Sequence, residues 1–128
     1  MAEKHNPQVA PSVLSVVTGI DLKTTGTTSL YTVPAGRKAL ITDLIIHLTT
    51  GTSVSVVASI SLGTNSTDFN NIFAIYALTN LDTTDEFNKN SPIVAVASAA
   101  ASVVTLNVTT GATATTATAR AVLIGVLV

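Results

Sequence analysis

The stretch Leu30–Leu48, LYTVPAGRKALITDLIIHL, constrains the fold most. It divides into a short strand, a tight turn and a long strand. Val33 leads into Pro34-Ala35-Gly36. Pro34 fixes φ near the value that the second turn position requires, and Gly36 tolerates the positive φ needed to leave the turn. From Arg37 to Thr49 the chain runs without Gly or Pro and is rich in Ile, Leu and Thr, which suit a pleated surface. A strand of that length reaches about 40 Å. Its even positions, Leu40, Leu44, Ile46 and Leu48, are expected to form the cleaner apolar face. Its odd positions carry Ile41 and Ile45 beside Asp43 and His47. A strand apolar on both faces is expected between two layers or at a subunit contact.

The same period of two recurs along the chain. Strands are expected at Val13–Ile20, Ser29–Val33, Arg37–Thr49, Val54–Leu62, Ile72–Leu78, Ile93–Ala97, Val103–Thr109 and Ala114–Val128. In Val54–Leu62 the residues Val54, Val56, Ala58, Ile60 and Leu62 alternate with Ser55, Val57, Ser59 and Ser61. The Ala-rich run after Pro92 lacks a capping pattern, so strand and turn are expected there rather than helix. Ala114–Val128 begins with Thr and Ala, expected to be weakly buried, and ends in AVLIGVLV, apolar on both faces and therefore central. Lys23–Thr28, Gly63–Asn71 and Thr79–Pro92 are connections by composition, the last being the longest. About eight short strands separated by turn signals point to an all-β fold, a two-sheet antiparallel β-sandwich. The expected organisation is an N-terminal arm, residues 1–11, and a sandwich domain, residues 12–128. Pro7 and Pro11 keep the arm from being a helix or a central strand.

Charge bounds the function. Lys and Arg number 6 and Asp and Glu 7, together 10% of the chain, where about 25% is usual. A folded monomer of 13.0 kDa exposes about 6,300 Å², so it carries roughly one charge per 500 Å². A surface so poor in ions is expected to be covered in an assembly, whereas a freely diffusing domain keeps more charge for solubility. The net charge of −1 gives no broad attraction for nucleic acid or for an anionic membrane. The first eleven residues have no apolar core of the kind found in signal peptides, and Val122–Val128 is too short to span a bilayer.

No residue set points to catalysis. Asp43 and His47 lie about 13 Å apart along one strand, too far to act as a pair. Asp82, Asp85 and Glu86 cluster in one loop without the ligand spacing of a Ca²⁺ hand. Cysteine is absent, as are a phosphate-binding Gly loop, a nucleophile elbow and a zinc-binding His-Glu-x-x-His. No cofactor or metal is expected. With no Trp and only Tyr31, Tyr76, Phe69, Phe73 and Phe87 as aromatics, a stacking platform for bases or sugars is poorly supplied.

The stretch SLYTVPAGRKALITDLIIHLTTGTSVSVVASISLG resembles a pattern in small virion proteins of tailed bacteriophages. There a Val-Pro-Ala-Gly turn leads into a long strand, then a Gly/Thr turn and a Val/Ser strand. The close, SVVTLNVTTGATATTATARAVLIGVLV with Gly125 in its apolar strand, is similar to that family's ending. The resemblance covers most of residues 28–128. It implies a jelly-roll or TNF-like sandwich, a homotrimer, and a structural role as a capsid cement (decoration) protein bound to the major capsid protein on the outer surface of the phage head. The poverty in charge and aromatics suits that role better than receptor binding. The alternative is a tail or head-fibre module that grips a host-surface glycan through loops 63–71 and 79–92. In the cement reading, Ile41, Ile45 and Val57 are expected near a subunit contact, and the arm, with His5, Pro7, Val9 and Pro11, is expected to reach the shell.

Overall fold

The computed structural model describes residues 10–91, 96–98 and 101–128. Among them run β1 (Ser12–Asp21), β2 (Gly26–Thr32), β3 (Ala39–Thr52), β4 (Ser59–Gly63), β5 (Phe73–Ala77), β6 (Phe87–Asn90), β7 (Val96–Ser98), β8 (Val103–Thr110) and β9 (Thr116–Leu127). They pair as nested antiparallel hairpins: β1 with β9, β2 with β8, β3 with β6 and β7, and β4 with β5. Rolling up that long hairpin sets β9 against β3 and β8 against β4. Two sheets result, one ordered β1-β9-β3-β6 with β7 also on β3, the other β2-β8-β4-β5. This wrapped order is that of a jelly roll, a two-sheet antiparallel β-sandwich.

The inner faces meet in one apolar core. Leu44, Ile46, Leu48 and Leu123 from the larger sheet oppose Ile60, Leu62, Leu106 and Val104 from the smaller, all fully buried. The Pro34-Gly36 turn forms as expected: Arg37 N–H donates to the Pro34 carbonyl, and Gly36 takes φ +74°. The connection from β5 to β6 closes one flank by dropping Leu78 and Leu81 into the core. It is tied to the end of β3 through the Leu48 N–H to the Glu86 carbonyl and the Asp85 N–H to the Leu48 carbonyl.

The long strand departs from strict alternation. Its inward residues are Ala39 and Ile41, then Leu44, Ile46 and Leu48. The phase slips because Ile41 and Asp43 face consecutive β9 residues, Gly125 and Ile124, which leaves Thr42 as an extra residue on β3. Thr49 is extra in the same way, between Leu48 and Thr50. Both bulged residues are threonines whose hydroxyls donate across to β9, Thr42 to the Ile124 carbonyl at 3.3 Å and Thr49 to the Thr118 carbonyl at 3.0 Å. Ile41 is consequently core and 0% exposed, which removes it from the expected subunit contact. Leu40, expected on the inner face, is displaced from it.

Three further expectations are corrected. The alternating run from Val54 does not pair until Ser59; before that only Val56 bridges, to Thr113. Thr79–Pro92 is not wholly a connection, since Phe87–Asn90 is strand β6 along Leu44–His47. The first half of the last strand is mixed rather than uniformly weakly buried: Thr115 and Thr116 are exposed, while Ala117 and Ala119 face the core.

Candidate functional site

The two outer faces differ in chemistry. Register defines the outer face of the larger sheet row by row, because directly paired residues point the same way. One row is Val13, Ile124 and Asp43; the next is Val16, Val122, Ile45 and Lys89. A third joins Arg120, His47 and Phe87. Val16 and Phe87, at 53% and 54% exposure, stand out at the two margins, and Ile45, Val122 and Ile124 are half-buried between them. Beyond the third row the face turns to threonine, with Thr50 opposite Thr118 and Thr52 opposite Thr116. The outer face of the smaller sheet instead carries Thr27, Ser29, Thr105, Asn107 and Ser61. The loop Thr64–Asn71 lies against it so closely that a Cβ on Gly63 would stand 2.6 Å from the backbone of Phe69 and Asn70.

The few ions on the larger sheet's outer face are each tied to a neighbour; at its threonine end Asp21 accepts from the Lys23 N–H and the Thr24 hydroxyl. Lys89 Nζ lies 3.6 Å from Asp43 Oδ1, and Ser91 Oγ donates to the same oxygen. The Ser91 hydroxyl, aided by Thr42 and by the Lys89 charge, holds the Asp43 carboxyl below its ordinary value against the opposing effect of burial. His47 is fixed on three sides. Arg120 Nη2 donates to Nδ1 at 2.9 Å, Nε2 meets Asp85 Oδ1 at 3.1 Å, and the Phe87 ring stacks at 4.3 Å with 11° between planes. An imidazole accepting at Nδ1 carries its proton on Nε2 and donates it to Asp85. Both ring nitrogens are engaged, so neither is left to act as a base on a substrate. Arg120 Nε is buried and has no hydrogen-bond partner among the described residues.

Other expected site residues are scattered. Ile45 is on this outer face, while Val57 is half-buried in the connection before β4 and is not on the larger sheet. Pro11 is exposed just ahead of β1. His5, Pro7 and Val9 lie outside the described residues. Sequence reasoning missed Val13, Val16, Phe87 and Arg120 as face residues. Val13 and Val16 straddle a bulge at Leu14, which hides their common face from a period-two reading. Phe87 sits in a polar tetrapeptide, FNKN, that resembles a loop.

The loops offered for glycan binding are internally committed. Asn65 Oδ1 accepts from the Asn70 N–H at 2.9 Å, Asn71 Oδ1 accepts from the Thr64 N–H at 2.7 Å, and Asn65 Nδ2 donates to Asn70 Oδ1 at 3.0 Å. Asn80 and Asn88 are joined likewise at 3.0 Å. Amides spent on their own loop are not available to sugar hydroxyls. Among the described residues, no three His, Cys, Asp or Glu side chains converge as metal ligands.

The fold and this face define a class, a small jelly-roll domain with one apolar and one hydroxyl-rich flank. No protein-family model matches the sequence, and no curated protein matches it. Solved structures do. A chain in the acidic stable capsid structure of Helicobacter pylori bacteriophage KHP30 superposes with a TM-score of 0.58 at 11% identity, over 93% of this chain and 95% of that one. A chain in the Cyanophage Pam1 capsid asymmetric unit superposes with a TM-score of 0.58 at 15% identity, over 98% of this chain and 91% of that one. At such identities the shared property is the fold, and it extends end to end in both cases.

Proposed function

We propose that this chain is a structural virion protein of a bacteriophage, a homotrimeric cement protein that binds the assembled head and stabilises it. The observation that carries the reading is the end-to-end match of its jelly roll to chains of two phage capsid structures. The surface supports it. A flank of valine, isoleucine and phenylalanine whose charges are paired internally suits a protein that works while covered. In this reading the partners are further copies of the chain and the major capsid protein, and the place of action is the outer surface of the head. The mechanism is thermodynamic. A protein that binds the mature shell and not its dissociated subunits stabilises the shell by mass action. Symmetry repeats each contact, so weak contacts add through effective concentration. Ile45 and Val57 are assigned to contacts, and the arm with His5, Pro7, Val9 and Pro11 to the shell.

The test is to mix purified protein with capsids of the cognate phage that lack it, pellet the particles, and measure shell melting. Co-sedimentation at saturable stoichiometry with a raised shell melting temperature is expected. Protein that stays in the supernatant overturns the proposal.

A further inference from the structure

We propose that the outer face of the β1-β9-β3-β6 sheet is where a second copy of this chain docks, with Val16, Ile45, Val122 and Phe87 as its apolar centre. The inference extends the self-association contained in the reading above, and its test uses no capsid. Two observations support a second copy as occupant.

The first is charge. Asp21, Asp43 and Asp85 contribute three negative charges to the face and its end, Lys23 beside Asp21, Lys89 and Arg120 three positive, and each carboxylate is engaged by a neighbour within its own chain. A face with no net charge selects no oppositely charged partner, and identical copies meet without repulsion across it. The second is size. The face runs about 40 Å along β9, but its margin strand β6 adds only 4 residues, so it offers roughly 650 Å², within the ~600–1,000 Å² per partner of stable protein contacts. Phe87 and Arg120 are also residue types that concentrate binding energy at contact centres. The hydroxyl-rich face of the smaller sheet is uncharged too, but it carries no such apolar or aromatic centre.

The experiment compares native mass by light scattering and sedimentation for the wild type, Val16→Lys, Phe87→Ser and Thr27→Lys. Val16 and Phe87 are about half exposed, so their replacement leaves the core intact, and circular dichroism checks that each variant is folded. Thr27 lies on the other sheet's outer face and serves as the control. The expected result is an assembled wild type and an assembled Thr27→Lys. For Val16→Lys and Phe87→Ser the dissociation constant rises at least about 30-fold, the fold-change that corresponds to losing a contact hot spot. A wild type that runs as a single copy at high micromolar concentration overturns the inference. So do variants that stay assembled, including ones that stay assembled but no longer pellet with capsids, which would assign the face to the shell. An oligomer that falls apart as expected, from a protein that ignores capsids, would uphold this inference and remove the cement reading.

Discussion

Gly125→Ala tests the packing of the central strand pair. Gly125 lies on β9 facing the core, opposite Ile41 on β3 and Ser12 on β1, one residue from the Thr42 bulge. A Cβ added there would stand 2.4 Å from the Leu40 carbonyl oxygen, 3.2 Å from its carbon and 2.9 Å from Leu14 Cδ1. The leucine methyl can swing away. The carbonyl belongs to the backbone of a strand held on both sides, so β3 and β9 must part by roughly an ångström to restore ordinary contact. Overpacking of this kind costs about 1–3 kcal/mol. A domain of 128 residues loses roughly 4 °C of melting temperature per kcal/mol, so a fall of about 4–12 °C is expected. The urea midpoint should drop with an unchanged slope, because the surface exposed on unfolding is the same. Protein concentration is held fixed, since self-association stabilises. The sign makes the measurement decisive. Where an alanine fits, replacing glycine stabilises by about 0.4–1 kcal/mol through the unfolded chain. A Gly125→Ala protein as stable as wild type would therefore refute the close approach of β3 and β9. Gly36→Asn is the control: Gly36 has φ +74° with nothing within 4 Å of its added Cβ, and asparagine tolerates that backbone, so little change is expected.

Leu44→Ala empties a fully buried site opposite Leu123 and should cost about 2–5 kcal/mol in urea denaturation. Asp43, whose folded pKa is lowered first by the Ser91 hydroxyl, lends stability that is fully present above the unfolded value of 3.8 and is lost as pH falls through the lower folded value. Ser91→Ala should flatten that acid limb in melting curves recorded against pH; an unchanged limb would show that Ser91 does not hold the carboxyl. Burial pushes Tyr76 up to about 12, opposed only by nearby Asn90, which does not reach normal hydrogen-bond geometry. The unfolded chain therefore releases this proton from about pH 10 while the folded chain retains it, and stability should fall between pH 10 and 12. Tyr76→Phe should abolish that loss, read as melting temperature against pH.

Much of the sandwich was legible because its signals are local. The Pro34-Gly36 turn, the Gly- and Pro-free strand after it and the Val103–Thr109 alternation all depend on neighbours in sequence, and each is found within a few residues of its expected place. What was not legible depends on partners far along the chain. FNKN has no strand signal of its own; it becomes β6 because the β3 edge at Leu44–His47 offers free backbone groups. Val54–Ala58 alternates well yet stays unpaired except at Val56, because the strand beside it, β8, ends at Thr110 opposite Ser59. His47 and Asp43 looked like isolated polar interruptions. Their roles come from Arg120, Asp85, Lys89 and Ser91, between 38 and 73 residues away for the His47 contacts.

The single inserted residue at Thr42 links the core to the proposed docking face. Ahead of it, odd positions point inward; after it, even positions do, and Ile45 is thereby turned outward into the row of Val16 and Val122. A strand in strict alternation from Ala39 would have kept Ile41 and Ile45 on one side and put Asp43 and His47 there with them. The bulge separates the two isoleucines, giving Ile41 to the interior and Ile45 to the flank, and it leaves the polar pair outside where partners exist for both. Threonine suits the position physically: its branched side chain favours extended backbone, and its hydroxyl bonds to the Ile124 carbonyl across the irregular step. The same residue type recurs at Thr49 with the same kind of bond, so the long strand resets its register against β9 twice, each time with a threonine bonded across the step.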